Sequence, residues 1–149
     1  MTKSFDFKRA PGHLIRRAHQ LAYAAFLEET HDFGVTPVQF AILNAVIDTP
    51  GLDQVTLAGL VAFDAATSGS VIGRLEARGW IRRKPDEQDR RRKLLWATAD
   101  GAGAVQQMKR AVGKVQTRIL APLNAREREQ FVALLGKLVS GHEAAGRSD

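Results

Sequence analysis

Two short helical patterns a few residues apart run directly into two strand-like segments around a polar turn. This arrangement restricts the chain more than any other feature. Asp53-Gln54-Val55-Thr56 reads as the start of a short helix carrying Leu57, Leu60 and Val61. After Phe63, Asp64-Ala65-Ala66-Thr67 is a second cap-like start; Val71, Ile72 and Leu75 mark a buried face, and Gly79 closes the helix. Two short helices this close form a helix-turn-helix. Trp80-Ile81-Arg82-Arg83 and Lys93-Leu94-Leu95-Trp96-Ala97-Thr98 then read as a hairpin, with residues 84–92 as its turn. Such a hairpin is marginal alone and must lean on the helices, which Trp80, Leu94 and Trp96 allow. The expected fold is mainly α with a small β-hairpin wing, a winged helix-turn-helix.

The flanking segments are helical too. Pro11-Gly12 is read as a break, after which Leu14, Ile15, Ala18, Leu21, Ala22, Ala25 and Phe26 form one apolar stripe ending near residues 29–32. In Thr36-Pro37-Val38-Gln39, Thr36 is an N-cap, Pro37 fits the first helical position and Gln39 completes a capping box. The helix that follows is apolar nearly all round and is expected to be central. A long amphipathic helix follows Asp100, and a capping box over Asn124-Ala125-Arg126-Glu127 starts the last one. Residues 141–149 are expected to fray.

With 149 residues and 44% hydrophobic content, the chain can bury a core without covalent staples, and one domain over residues 1–149 is expected. The absence of cysteine excludes disulfides, thiolate metal sites and cysteine catalysis. No apolar stretch spans a bilayer and the first residues lack the apolar core of a secretory signal, so a cytoplasmic protein without membrane contact is expected. His13 and His19 stand six apart, about 240° around a helix, and His31 and His142 have no ligand-spaced neighbours, so no metal is expected. No P-loop, dinucleotide-binding glycine pattern, zinc-protease helix or nucleophile–base motif is present; neither enzyme activity nor a cofactor is expected.

The net charge of +6 is unevenly spread. Residues 18–73 carry six acids and no Lys or Arg, whereas residues 74–93 carry nine Lys/Arg against four acids. That basic segment falls on the second helix and the wing, where a polyanion would sit. In a helix-turn-helix the N-terminal part of the second helix faces base edges in the major groove. Thr67, Ser68 and Ser70 supply small donors there, and Arg74 reaches a phosphate or guanine. Arg82, Arg83, Arg90, Arg91 and Arg92 line the wing, within reach of an adjacent minor groove. Solvent-facing positions for Ser68 and Ser70, and an internal salt bridge for Arg74, are the competing readings. Double-stranded DNA is the expected partner.

The segments Leu75-Glu76-Ala77-Arg78-Gly79-Trp80-Ile81-Arg82-Arg83, Pro85-Asp86-Glu87-Gln88-Asp89-Arg90-Arg91 and Thr98-Ala99-Asp100-Gly101 resemble the MarR family of bacterial winged-helix regulators, from about residue 12 to residue 139. The resemblance implies a homodimer, with dimerisation helices over residues 12–32 and 99–144 and a DNA-binding part over 36–98. It also implies that Asp89 positions the wing and that Arg91 enters the minor groove. Gly73 and Ala97 depart from the family pattern, and the Ser68-Gly69-Ser70 run is unusually small.

Members of the family commonly release DNA on binding a small anionic aromatic molecule. Because residues 18–73 lack cations, a carboxylate near the first two helices must meet Arg16 or Arg17, with His13 or His19. The stretch from Gly12 to His19 resembles members that sense aromatic carboxylates. A helical wheel places Arg17 and His19 beside the apolar stripe and Arg16 further away, so both arginines stay candidates. Pairing with acids across a dimer, or phosphate contact, are the competing roles. The expected function is a repressor released from a palindromic operator by such an effector. The alternative is an effector-independent nucleic-acid-binding module.

Overall fold

The computed structural model describes residues 5–61 and 65–146. The chain divides into two compact units, Met1–Val115 and Gln116–Asp149. In the first, α1 (Pro11–Glu29) precedes α2 (Pro37–Asp48), the two-residue strand β1 (Leu52–Asp53), α3 (Gln54–Leu60) and α4 (Ala65–Ala77). Strands β2 (Ile81–Pro85) and β3 (Lys93–Ala97) follow, and α5 (Ala99–Ile119) runs out of the unit. The second unit holds the end of α5 and α6 (Ala125–Gly146).

Local chemistry accounts for most boundaries. Pro11, expected to break the chain, is instead the first residue of α1, where its missing N–H costs nothing. The α2 capping box forms as expected: the Gln39 N–H donates to Thr36 Oγ1 at 3.2 Å and the Thr36 N–H to Gln39 Oε1 at 3.1 Å. Asp53 caps α3, its Oδ1 accepting the Thr56 N–H at 3.0 Å. The Asp64 cap of α4 lies outside the described residues. At its other end α4 closes in a Schellman turn, with Gly79 at φ 76° and bonds from the Gly79 N–H to Glu76 O (2.9 Å) and from the Trp80 N–H to Leu75 O (3.0 Å). Asn124 and Glu127 cap α6 reciprocally at 2.8 and 3.0 Å. Of the residues expected to fray, 141–146 are helical, with α6 continuing to Gly146; residues 147–149 lie outside the described residues.

The wing is larger than a hairpin. β1 adds to the free side of β3, giving an antiparallel sheet in the order β1-β3-β2, with Leu52 opposite Leu95 and Arg83 opposite Leu95 on the other side. Two residues are too short for a period-2 signal, so the third strand leaves no mark in the sequence. The core joins Ile42, Leu43 and Val46 of α2 to Leu57, Ile72 and Leu75 of the helix-turn-helix. Ile81 and Leu95 of the sheet, with Val105 and Met108 of α5, complete it. The central position expected for α2 is observed.

One residue ties the end of α4 to the start of α5. The Thr98 hydroxyl donates to Gly79 O at 2.6 Å and accepts the Gly101 N–H at 3.1 Å. The Thr98 N–H donates to Trp80 O at 3.0 Å.

Candidate nucleic-acid interface

Helix α4 separates its residues by face. Ser68, Ile72 and Leu75, spaced four and three apart, are fully buried against the core. Thr67, Ser70 and Arg74, spaced three and four apart, form one exposed stripe. This corrects the reading of Ser68: its hydroxyl lies on the inner face, 0% exposed and without a hydrogen-bond partner. A contact with DNA from that position would require α4 to turn over. The small Gly69 serves packing, since a Cβ there would stand 3.2 Å from Gln54 Nε2 of α3.

The wing arginines divide by partner. Arg82 is exposed, its guanidinium 5.6 Å from the centroid of the Trp96 ring. Arg90 is exposed. Arg91 projects outward with 92% of its side chain exposed, yet it is held: its Nε donates to Asp89 Oδ1 at 3.0 Å and its Nη2 to Asp89 Oδ2 at 3.3 Å. The Arg91 side chain first, and its backbone N–H second, hold the Asp89 carboxyl below the ordinary carboxylate range. Asp89 thus fixes the guanidinium while leaving the outer edge of its fork open.

Arg83 and Arg92 are both paired within the chain, Arg92 with its side chain 52% exposed. Arg83 donates to Gln54 Oε1 at 3.2 Å and Glu76 Oε1 at 3.1 Å, with its side chain 30% exposed. Arg92 donates to Asp86 Oδ2 at 3.0 Å and Asp53 Oδ2 at 3.3 Å. The sequence-based reading gave both to DNA; in the structure they fasten the wing to α3 and α4. Arg78, given no role of its own by the sequence reading, is likewise held within the chain. It donates to Gly34 O at 2.9 Å and Phe33 O at 3.1 Å, and its guanidinium lies 3.6 Å from the Trp80 ring centroid. Partners 29, 39 and 44 residues away leave no local sequence signal.

Between α3 and the wing lies a cavity of about 550 Å³ lined by Gln54, Val55, Arg83, Arg91, Arg92 and Lys93. On α1 the four candidate effector residues fall on two stripes, with His13 half-buried and Arg16, Arg17 and His19 exposed. His13 packs on Phe7, ring centroids 4.3 Å apart, and its Nδ1 is buried without a partner. Arg17 donates to Gln20 Oε1 at 3.0 Å. Arg16 and His19 share the other stripe, with His19 6.2 Å from Tyr23. Among the described residues no group of His, Asp and Glu is placed to hold a metal ion, and no helix is long and apolar enough to cross a membrane.

A helix pair whose second member exposes hydroxyls and an arginine, followed by a cation-bearing hairpin, is a winged helix-turn-helix. A profile of the MarR family matches residues 33–92. The chain belongs to the MarR family of transcriptional regulators. It is 32% identical over 142 residues to the transcriptional repressor NicR of Pseudomonas putida, covering 95% of this chain and 90% of that one. Its fold is similar to that of Bordetella bronchiseptica BpsR (TM-score 0.86, 34% identity, 92% of this chain and 98% of that one), whose DNA binding is regulated by 6-hydroxynicotinic acid. It is also similar to PcaV of Streptomyces coelicolor in complex with its natural ligand (TM-score 0.81, 32% identity, 93% of this chain and 98% of that one).

Proposed function

We propose that this chain is a homodimeric repressor that grips a palindromic DNA operator and releases it on binding a small aromatic carboxylate. The observation that carries the reading is the pairing of an outward Thr67/Ser70/Arg74 stripe with an Asp89-held, 92% exposed Arg91 on the wing. The helix stripe suits a major groove and the arginine an adjacent minor groove. Arg82 and Arg90 add phosphate contacts. Dimerisation through α1 and the C-terminal helices is supported by apolar side chains left exposed there. Leu14, Ile15 and Leu21 of α1 and Val132, Leu134 and Val139 of α6 are each 50% exposed or more, so each helix keeps apolar side chains available for burial against a partner. The chain acts by binding rather than by catalysis, in the cytoplasm where DNA lies.

The effector chemistry follows from α1 and from BpsR, whose regulator is an aromatic acid. Arg17 already spends a donor on Gln20, which favours the exposed Arg16 as the carboxylate partner, with His13 and His19 beside it. The deciding experiment is selection of bound duplexes from a random pool, followed by titration of benzoic, nicotinic and phenolic acids into the complex. A palindromic consensus released by one of these acids is expected, with Arg91→Ala weakening binding about tenfold. No consensus overturns the regulator reading; a consensus that none of the acids releases overturns the effector and leaves an effector-independent DNA-binding module.

A further inference from the structure

We infer that Asp53 and Arg92 are positioning residues that fix where the wing meets DNA, with Asp53 acting as the anchor on the helix-turn-helix side. The inference rests on the DNA-binding reading above. Arg92 sits at the end of the wing turn and uses two edges of its guanidinium. One edge takes Asp86 at the opposite side of the turn, and the other takes Asp53 at the start of α3. Asp53 is itself immobilised. Its Oδ1 accepts the Thr56 N–H at 3.0 Å, its Oδ2 accepts the Thr56 hydroxyl at 2.6 Å, and its backbone stands opposite Leu94 in the sheet. The two carboxylates are largely covered, with side chains 18% and 15% exposed.

The charge count opposes a direct DNA role for Arg92. One guanidinium between two carboxylates leaves the triad at a net −1, which repels a phosphate. Two of the guanidinium's five N–H donors are already committed to these carboxylates, one from each terminal nitrogen. Arg83 is a second brace, joining β2 to Gln54 of α3 and Glu76 of α4. A hairpin swings unless something holds it, and a helix and wing reading one half-site need a fixed separation. Loosening the wing therefore costs sequence discrimination more than general attraction to the polyanion.

The test uses the full-length chain, a duplex that the wild type selects from a random pool, and a scrambled duplex of equal length. Binding is measured across a salt series for the wild type, Asp53→Asn, Arg92→Gln and the double variant. Asp53→Asn keeps an oxygen for the Thr56 N–H and so keeps the cap. Each single variant is expected to lose about fivefold on the selected duplex, as befits a half-exposed ion pair. It should lose under about twofold on the scrambled one, with the salt dependence unchanged. The double variant should be no worse than either single one. Backbone amides of residues 81–97 should exchange faster in both single variants while those of α2 keep their protection. An Arg92→Gln loss that is equal on both duplexes, with a salt slope reduced by about one, makes Arg92 a phosphate contact and overturns the inference. Additive losses, or unchanged exchange in the wing, also overturn it. A wild type that selects no duplex fails the proposed function, and the positioning role with it.

Discussion

Replacing Gly101 by alanine reverses the usual sign of a helical Gly→Ala change. In an exposed helix interior that substitution gains about 1 kcal/mol. Here the added Cβ would fall inside the van der Waals surface of the Trp80 carbonyl oxygen, with the carbonyl carbon at 3.0 Å and Cα at 3.1 Å. All three are backbone atoms, so no side chain can swing away. That carbonyl also accepts the Thr98 N–H at 3.0 Å, and the Gly101 N–H is held by Thr98 Oγ1. Separating α5 from the α4–β2 turn costs about 2 kcal/mol as overpacking and about 1 kcal/mol as a strained hydrogen bond. Set against the propensity gain, the net loss is about 2 kcal/mol, or about 4–8 °C in melting temperature for a chain of this size. Urea unfolding at fixed protein concentration measures it. Gly103→Ala, two residues further along the same helix with nothing within 4 Å of its Cβ, is the control and should stabilise. If Gly101→Ala is as stable as wild type, the contact does not govern this turn and the reasoning fails.

Three further outcomes are expected. Ser68→Ala removes a buried hydroxyl that bonds to nothing, so stability should hold or rise by up to about 1 kcal/mol, and duplex affinity should not fall. Arg78→Ala should cost about 1 kcal/mol by freeing the Phe33 and Gly34 carbonyls, a loss visible in denaturant unfolding and in faster amide exchange near Gly34. The Thr56 hydroxyl, the Thr56 N–H and Arg92 together hold the Asp53 carboxyl below its ordinary value, so the unfolded chain binds its proton first as pH falls. That contribution is present above about pH 4 and is lost below it; urea midpoints measured from pH 6 to pH 3 should therefore fall in acid, and less steeply for Asp53→Asn.

Much of this fold is written in short-range chemistry. Thr36 and Gln39, Asn124 and Glu127, and Gly79 after Leu75 each announce a helix boundary because their partners lie within five residues. The buried face of α4 was also legible in Ile72 and Leu75. Ser68 is in phase with that same face, four residues before Ile72, and its periodicity outweighs the polarity of its hydroxyl. The acid partners of Arg83 and Arg92 escaped the sequence for another reason. A long basic side chain reaches whichever acid the tertiary fold brings near, and Asp53 lies 39 residues from Arg92. The apolar stripe of α1 was read correctly as a stripe, yet only Ala25 and Phe26 of it are buried. Leu14, Ile15 and Leu21 of the stripe stay at least half exposed.

The placement of β2 at the border of the three-stranded sheet has a consequence for behaviour in a crowded solution. An outermost strand offers unpaired backbone groups to any other strand that drifts alongside, the route by which sheets polymerise. β2 presents Arg82, Arg83, Lys84 and Pro85 within its five residues. The exposed charges of Arg82 and Lys84 discourage a second wing from docking there, and proline withholds a donor from the would-be ladder. A variant stripped of these charges to abolish DNA contact would lose this protection too, and its loss of function should be checked for self-association before it is ascribed to the operator.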